Sequence, residues 1–287
     1  MRNKFKFGVL IVTYNPSERF YDLVNYFVKE EVQIVIIDNS DNKNLVIEKI
    51  KLNSKIKLIK NEKNYGIAKS LNKGIKLLDE NIEYFFTFDQ DSVPSDNFLK
   101  SFYKYLNYRK DIGILVPTIL DNNTKSIVQK EKINFNLEIE EVDMAIQSGM
   151  LINKKAYFDV NGFNENLVIY YVDNEFVHKI KEKKYKIFRL NKSFLIHNDG
   201  NLQKKNIFSK VLYFNERSKV AIYFRSKNLI YMCHNYGWIY IKDLVYDIIT
   251  NLFFSKDRKI FFYYMLKGLK DTNKKINFID KNMFKRR

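Results

Sequence analysis

Two carboxylates stand two residues apart in Thr87-Phe88-Asp89-Gln90-Asp91-Ser92, directly behind the aromatic run at Tyr84 to Phe86. An Asp-x-Asp at a strand exit offers two hard oxygen ligands where the chain turns. That is a partial shell suited to Mg2+ or Mn2+, which completes its sphere with water and substrate phosphates. The same residues also suit a turn, with Asp89 ending a strand and Asp91-Ser92 bending the chain ahead of Pro94. Spacing alone leaves both readings open. Further along stand Ser148-Gly149, Asp173 with Glu175, and His197. Phe176, Val177 and Ile180 follow at helical spacing, so Asp173 falls near a helix start. Glu175 then points elsewhere, because i and i+2 do not share a helix face. A helix start keeps a carboxylate ionised, as a general base requires, and it equally suits a capping residue. His197, behind the strand-like Ser193 to Ile196, is either a third metal ligand or a structural histidine.

These residues need a frame, and the first half of the chain supplies one. Phe7 to Asn15, Val32 to Asp38, Lys55 to Asn61, Glu83 to Asp89 and Ile112 to Pro117 read as strands. Between the third and fourth, Ile67, Leu71, Ile75 and Leu78 fall on one face of a helix. Strands alternating with such helices imply an α/β fold with a mixed, mostly parallel sheet flanked by helices. In sheets of this kind ligands bind outside the carboxyl ends of the strands. Those ends read Thr13-Tyr14-Asn15, Asp38-Asn39-Ser40, Asn61 with Asn64, and Asp89-Gln90-Asp91. Each is polar; taken singly each is also an ordinary turn or cap. No G-x-G-x-x-G follows the first strand and no G-x-x-x-x-G-K-[ST] occurs, so a bound nucleotide needs another grip on its phosphates.

Composition sets the outer bounds. A chain of 287 residues, 46% apolar, is long enough for one large core or a main domain with an appendage. One cysteine, Cys233, excludes an internal disulfide framework and a thiolate zinc cluster, and favours a reducing compartment. The apolar run Val9 to Val12 is too short for a signal-peptide core, and no run approaches the about 18 apolar residues of a membrane span. A formal net charge of +17 favours polyanionic partners such as nucleic acid, acidic headgroups or phosphorylated substrates.

The motifs Ile11-Val-Thr-Tyr-Asn-Pro16, Ile36-Ile-Asp-Asn-Ser40, Asn64-Tyr-Gly-Ile-Ala, Phe88-Asp-Gln-Asp-Ser92 with Pro94, Ser148-Gly-Met-Leu-Ile152, Tyr170-Tyr-Val-Asp-Asn-Glu-Phe176, Ile196-His-Asn-Asp-Gly200 and Tyr223-Phe-Arg-Ser-Lys-Asn228 occur in one order over roughly residues 7 to 240. This pattern resembles the family 2 glycosyltransferases of the inverting GT-A type, and within them the bacterial L-rhamnosyltransferases of O-antigen, capsule and rhamnan assembly. The resemblance implies a Rossmann-like nucleotide-diphospho-sugar transferase fold over residues 1–212, with a helical extension over 213–287. It implies that Thr13, Asn15 and Asp38 hold the donor's base and ribose, with Asn64, Gly66 and Asn72 shaping that pocket. Ser148, Gly149 and Glu175 belong to the donor side. Asp91 meets the divalent metal, Asp89 the ribose or the metal's water, and His197 closes the metal and diphosphate side. Asp173 matches the catalytic base. Lys227-Asn228 count with the donor-binding residues, on the diphosphate side, and stand where the family commonly has Arg-Asn; lysine keeps the charge but loses the bidentate fork. The implied partners are a nucleotide sugar, dTDP-rhamnose or a UDP-sugar, and a glycan or lipid-diphosphate-linked acceptor.

From Phe214 onward the chain is aromatic, basic and helical in pattern, and it ends Met-Phe-Lys-Arg-Arg. Ile260, Tyr263, Tyr264 and Leu266 crowd an apolar face beside Lys and Arg, as an interfacial helix on an anionic leaflet does. The alternative is a helical subdomain packed on the sheet or on a second copy in a homodimer. The preferred expectation is a cytoplasmic protein, peripheral on the inner face of the membrane. A basic nucleic-acid-binding module is the rival from another class; it lacks a binding motif and leaves the polar strand ends unexplained.

Overall fold

The computed structural model describes residues 6–30, 32–50, 52, 54–106, 108–122, 126–129, 133–197, 202–207, 210–215, 217–255 and 257–284. Asn198 to Gly200 of the histidine motif and the terminal Lys285 to Arg287 lie outside them. The chain divides into two compact units: Met1–Asn164 with Asp173–Asn198, and Glu165–Val172 with Asp199–Arg287. The division falls before residue 212 and assigns Glu165–Val172 to the second unit, which sequence patterning did not anticipate.

The first unit is built on a nine-stranded sheet. Its strands are β1 (Lys6–Thr13), β2 (Gln33–Asp38), β3 (Ile56–Lys60), β4 (Ile82–Asp89), β5 (Val93–Pro94), β6 (Ile112–Asp121), β7 (Ile139–Glu141), β8 (Met150–Asn153) and β9 (Lys186–His197). They lie in the order β3-β2-β1-β4-β8-β6-β9-β5, with β7 on β9. Pairing is parallel from β3 through β4 and between β6 and β9; β8 runs antiparallel to both β4 and β6. Five helices accompany it: α1 (Phe20–Lys29), α2 (Leu45–Glu48), α3 (Gly66–Ile75), α4 (Phe98–Tyr103) and α5 (Lys154–Asp159). A sixth, α6 (Val172–Glu182), begins on the last residue of the short segment assigned to the second unit.

The strands read as continuous apolar runs because both faces are covered. In β4, Phe86 and Phe88 face a cluster with Phe98 and Phe102, the Phe86–Phe102 ring centroids lying 4.9 Å apart. Phe85, one residue out of step, meets Tyr157 of α5 edge-on at 5.5 Å. α1 buries Phe20, Leu23, Val24 and Phe27 at the i, i+3, i+4, i+7 spacing of one helix face. α3 buries Leu71 and Ile75, with Leu78 just beyond it, as read in the sequence; Ile67 is only half-buried, and Ala68 is buried beside it.

The second unit holds a hairpin of β10 (Leu202–Ile207) and β11 (Lys210–Asn215), then α7 (Lys219–Tyr236), α8 (Ile241–Phe254) and α9 (Arg258–Lys270). Its core gathers Val168, Tyr223, Phe224, Phe261, Tyr264, Met265 and Phe284. Gly268 lets α9 meet α7 closely: a Cβ there would stand 2.3 Å from the Tyr223 carbonyl oxygen. Two consecutive tyrosines, Tyr170 (φ 67°) and Tyr171 (φ 61°), are left-handed. For bulky L-residues this is an outlier that costs roughly 1–3 kcal/mol each. Among the described residues no helix is long and apolar enough to cross a membrane.

Candidate functional site

The register of the parallel strands brings the polar exits side by side. Thr13 pairs with Asp38 across β1 and β2, and Val12 with Asp89 across β1 and β4. Asp38 is buried, and one of its oxygens, Oδ1, accepts from Thr13 Oγ1 (2.9 Å), Ser40 Oγ (2.6 Å) and Ser40 N (3.2 Å). Asn15, left-handed at φ 48° and exposed, donates its backbone N–H to Ser40 Oγ at 2.7 Å. Behind this edge Asn39 is a buried hub. Its amide donates to Gly66 O and Ser70 Oγ, and its oxygen accepts from Asn61 and from the Tyr65 N–H. Asn64 Oδ1 accepts from the Gly66 N–H at 3.0 Å, in the turn that leads into α3. Asn72 is committed to holding the chain: its amide donates to Phe163 O, and its oxygen accepts from Tyr157 Oη and Phe163 N.

The carboxylate pair sits at the exit of β4. Between its members, Gln90 bridges to the end of β1, accepting from Tyr14 N at 2.8 Å and donating to Tyr14 O at 3.2 Å. His197, at the end of β9, brings Nδ1 to 3.9 Å from Asp91 Oδ1 and 3.4 Å from Ser92 Oγ. Ser92 is buried and shares a 2.5 Å hydrogen bond with Ser148 Oγ, which also accepts from the Asp89 N–H at 3.3 Å. One chain of contacts therefore runs from Asp89 through Ser148 and Ser92 to His197. Burial pushes the Asp89 carboxyl up to about 6; His197 opposes the rise, and Asp91 and Asp173 add to it. Asp173 thus lies within electrostatic reach of Asp89. A divalent cation beside Asp89 would offset both the burial and the neighbouring negative charge.

Asp91 and His197 offer an oxygen and an imidazole, a donor set that fits Mg2+ or Mn2+ taking two protein ligands. No group of three or more metal-binding side chains is gathered among the described residues, so such an ion would rely on substrate oxygens and water for the rest. Asp173 opens α6, its Oδ1 accepting from the next N–H, of Asn174, at 2.9 Å. Glu175, one residue further, is buried, takes the Asn164 amide at 3.3 Å and stands 3.9 Å from Lys179. Gly149 turns the chain into β8 with φ 76°, donating to Thr87 O at 2.8 Å. A Cβ there would meet Leu195 at 2.8 Å and Pro117 at 3.0 Å, so the position leaves little room for a side chain.

Lys227 and Asn228 belong to α7 in the second unit, and both are buried. Burial lowers the Lys227 amine, with Asp271 opposing. Asn228 donates its amide to Ile169 O (2.9 Å) and Tyr170 O (3.1 Å). Of the residues that sequence reasoning passed over, Ser92 and Gln90 matter most. Their only signal was position inside the Asp-x-Asp turn. A concavity of about 600 Å3 beside Lys57 and Lys76–Asn81 adjoins the opposite, amino end of β4 and contains none of these groups.

Comparison with known proteins agrees with this geometry. Residues 8–248 match the family model described as glycosyl transferase family 2. The chain is 28% identical over 179 residues to the dTDP-rhamnosyl transferase RfbF of Shigella flexneri, covering 58% of this chain and 60% of that protein. It is 24% identical over 267 residues to the uncharacterized glycosyltransferase MJ1057 of Methanocaldococcus jannaschii, covering 86% and 87% respectively. Among solved structures, GalNAc-T7 with UDP, GalNAc and Mn2+ superposes with a TM-score of 0.62 at 16% identity, over 96% of this chain and 59% of that one, a likeness of fold. With the family model spanning most of its length and the polar strand ends aligned as such a fold requires, the chain belongs to glycosyl transferase family 2.

Proposed function

We propose that this protein is an inverting glycosyltransferase that moves L-rhamnose from dTDP-rhamnose onto a saccharide or lipid-linked acceptor in bacterial surface-polysaccharide synthesis. The observation that supports the reading is the approach of His197 Nδ1 to 3.9 Å from Asp91 Oδ1 at the exit of β4, beside Asp89. The rhamnosyl donor draws support from the likeness to RfbF. A UDP-sugar donor is the second reading, favoured by the nucleotide bound in the GalNAc-T7 structure.

In this mechanism the acceptor hydroxyl is a poor nucleophile until Asp173 takes its proton. The hydroxyl oxygen bonds the anomeric carbon from one face as the carbon–oxygen bond to the diphosphate breaks on the other. The electron pair leaves with the nucleoside diphosphate, and one displacement inverts the centre. Thr13, Asn15 and Asp38, with Asn64 and Gly66 behind them, bound the base and ribose; Asp89 lies nearer the ribose. Asp91 and His197 would hold Mg2+ or Mn2+, which supplies charge neutralisation for the leaving diphosphate when bound. Because that group departs without protonation, no paired acid is required on the leaving side.

Membrane attachment completes the reading. α8 exposes Val245, Tyr246, Ile249, Leu252 and Phe253 at i, i+1, i+4, i+7 and i+8, with Trp238 and Ile239 exposed just ahead. The exposed charged side chains described between Gly237 and Lys270 are Lys242, Arg258, Lys259 and Lys270, all cationic. The acids turn inward: Asp247 pairs with Arg217 and Arg225, Asp243 accepts from Tyr171, and Asp257 caps α9. An apolar, aromatic stripe rimmed by cations suits an anionic leaflet. Of the face expected on α9, Tyr263 and Leu266 are exposed, whereas Tyr264 is buried against Phe284.

The decisive experiment is a panel of nucleotide sugars with Mg2+ or Mn2+, scored by thermal shift and nucleotide release. Stabilisation and turnover with dTDP-rhamnose carry the proposal. A response to UDP-hexoses alone moves the donor to the second reading, and silence across the panel sinks both.

A further inference from the structure

The left-handed pair Tyr170 and Tyr171 ends one residue short of α6 and two short of Asp173 along the chain. Neither position has the glycine that such a backbone favours. Strain of this kind persists only where surrounding contacts over-determine it, and those contacts are concentrated in the Tyr223-Phe-Arg-Ser-Lys-Asn228 stretch of α7. Asn228 donates from its side-chain amide to successive carbonyls of the turn, those of Ile169 and Tyr170. Arg225 places its guanidinium 5.8 Å from the Tyr170 ring centre and 5.5 Å from that of Tyr171. Asp247 fixes Arg225 through Nε at 3.0 Å, and Asp243 takes the Tyr171 hydroxyl at 3.2 Å. Amide, cation and carboxylate thus all act on two residues.

We propose that Asn228 and Arg225 are positioning residues: they hold the strained Tyr170-Tyr171 turn and thereby fix the direction in which the first turn of α6 presents Asp173. The proposal rests on the reading of Asp173 as the base. It departs from the expectation that Lys227-Asn228 grip the donor's diphosphate. The Asn228 amide nitrogen is engaged by two main-chain carbonyls of the turn. The αL conformation turns the chain sharply over two residues, so releasing it re-aims the carboxylate that follows. A displacement of about 1 Å at a reacting group is enough to cost on the order of a hundredfold in rate.

The test uses the full chain with dTDP-rhamnose and Mg2+. Donor hydrolysis serves as turnover, since water in the acceptor's place needs the same base, and dTDP binding is measured separately. In Asn228→Ala, hydrogen exchange at amides 170 to 174 should accelerate. Turnover should fall about ten- to a hundredfold, and dTDP affinity should stay within about twofold. Tyr170→Gly placed in the Asn228→Ala background should return part of the lost turnover, because glycine takes the positive φ without the clamp. Unchanged exchange at amides 170 to 174 overturns the proposal whatever the activity. Weakened dTDP binding with turnover intact overturns it in favour of a donor-binding Asn228. A wild type that turns over no nucleotide sugar removes the base reading and the positioning role with it; the exchange data still report whether the clamp on the turn is real.

Discussion

In the proposed mechanism Asp173, Asp91 and Ser92 have separate parts at the residue scale, and single substitutions test each of them. Asp173→Asn keeps the shape of the side chain and loses the base. Turnover should drop by roughly 10^2–10^4 while dTDP affinity holds, and loss of binding would show that the base is misassigned. Asp91→Asn removes a charge facing His197, so donor binding itself should weaken, and only when Mg2+ or Mn2+ is present. Ser92 touches no substrate in this scheme; it contacts His197 and Ser148. Residues that orient a metal ligand typically carry ten- to a hundredfold in metal affinity. Ser92→Ala should therefore raise the metal concentration needed for half-maximal donor binding by about tenfold, read by titrating Mn2+ at fixed donor. The position of the carboxylates at the exit of β4 was legible in the sequence because the apolar run ahead of them marks the strand. Ser92 was not: its partners are 56 and 105 residues away, and serine beside aspartate looks like any turn.

At the scale of elements, the parallel strands were the most legible part. β1, β2 and β4 are buried on both faces, and a strand covered twice has no polar alternation to confuse the reading. The second half of β6, and the long β9 beside it, were harder, because a bulge at Pro117-Thr118 interrupts the register. The Tyr170-Tyr171 turn was unreadable for a different reason: nothing in that dipeptide favours positive φ, and its supports lie more than fifty residues downstream. Gly149 gives the element scale its own test. Alanine there must adopt φ 76° and crowd Leu195 and Pro117. We expect a loss above about 1 kcal/mol, read as a fall of a few degrees in the unfolding midpoint, at roughly 2–4 °C per kcal/mol for a large domain. An unshifted midpoint would mean the turn yields freely.

For the whole molecule, the helical pattern of the last third was visible in the sequence, but not which face would remain uncovered. Periodicity marks an apolar stripe without saying what packs on it, and so Tyr264 was expected outside and is found inside. The exposed stripe on α8 makes a prediction that needs no truncation. Replacing Ile249, Leu252 and Phe253 by serine, all at surface positions, should leave the unfolding midpoint nearly unchanged. The full-length protein should float with vesicles containing anionic lipid, the triple variant should not, and added salt should weaken wild-type binding. Equal flotation of both proteins would discard α8 as the contact. A concentration-dependent dimer that the variant loses would assign the stripe to a second copy instead.

The interleaving of the two units along the chain constrains synthesis as well as structure. Glu165–Val172 leaves the ribosome before Asp173–Asn198, yet it belongs with helices that follow residue 199. β9, which pairs with β5, β6 and β7, is the last strand of its sheet to emerge. At about 5–20 residues per second, β6 waits on the order of ten seconds for that neighbour. During the wait the flank of β6 that β9 will occupy is an open edge, a template for pairing with other nascent chains. Expression at lower temperature or with a chaperone that caps nascent strands should therefore raise the soluble yield more than any change to the C-terminal helices. A fragment ending near residue 212 would separate the Ile169 and Tyr170 carbonyls from Asn228, and is a poor choice for a minimal catalytic domain.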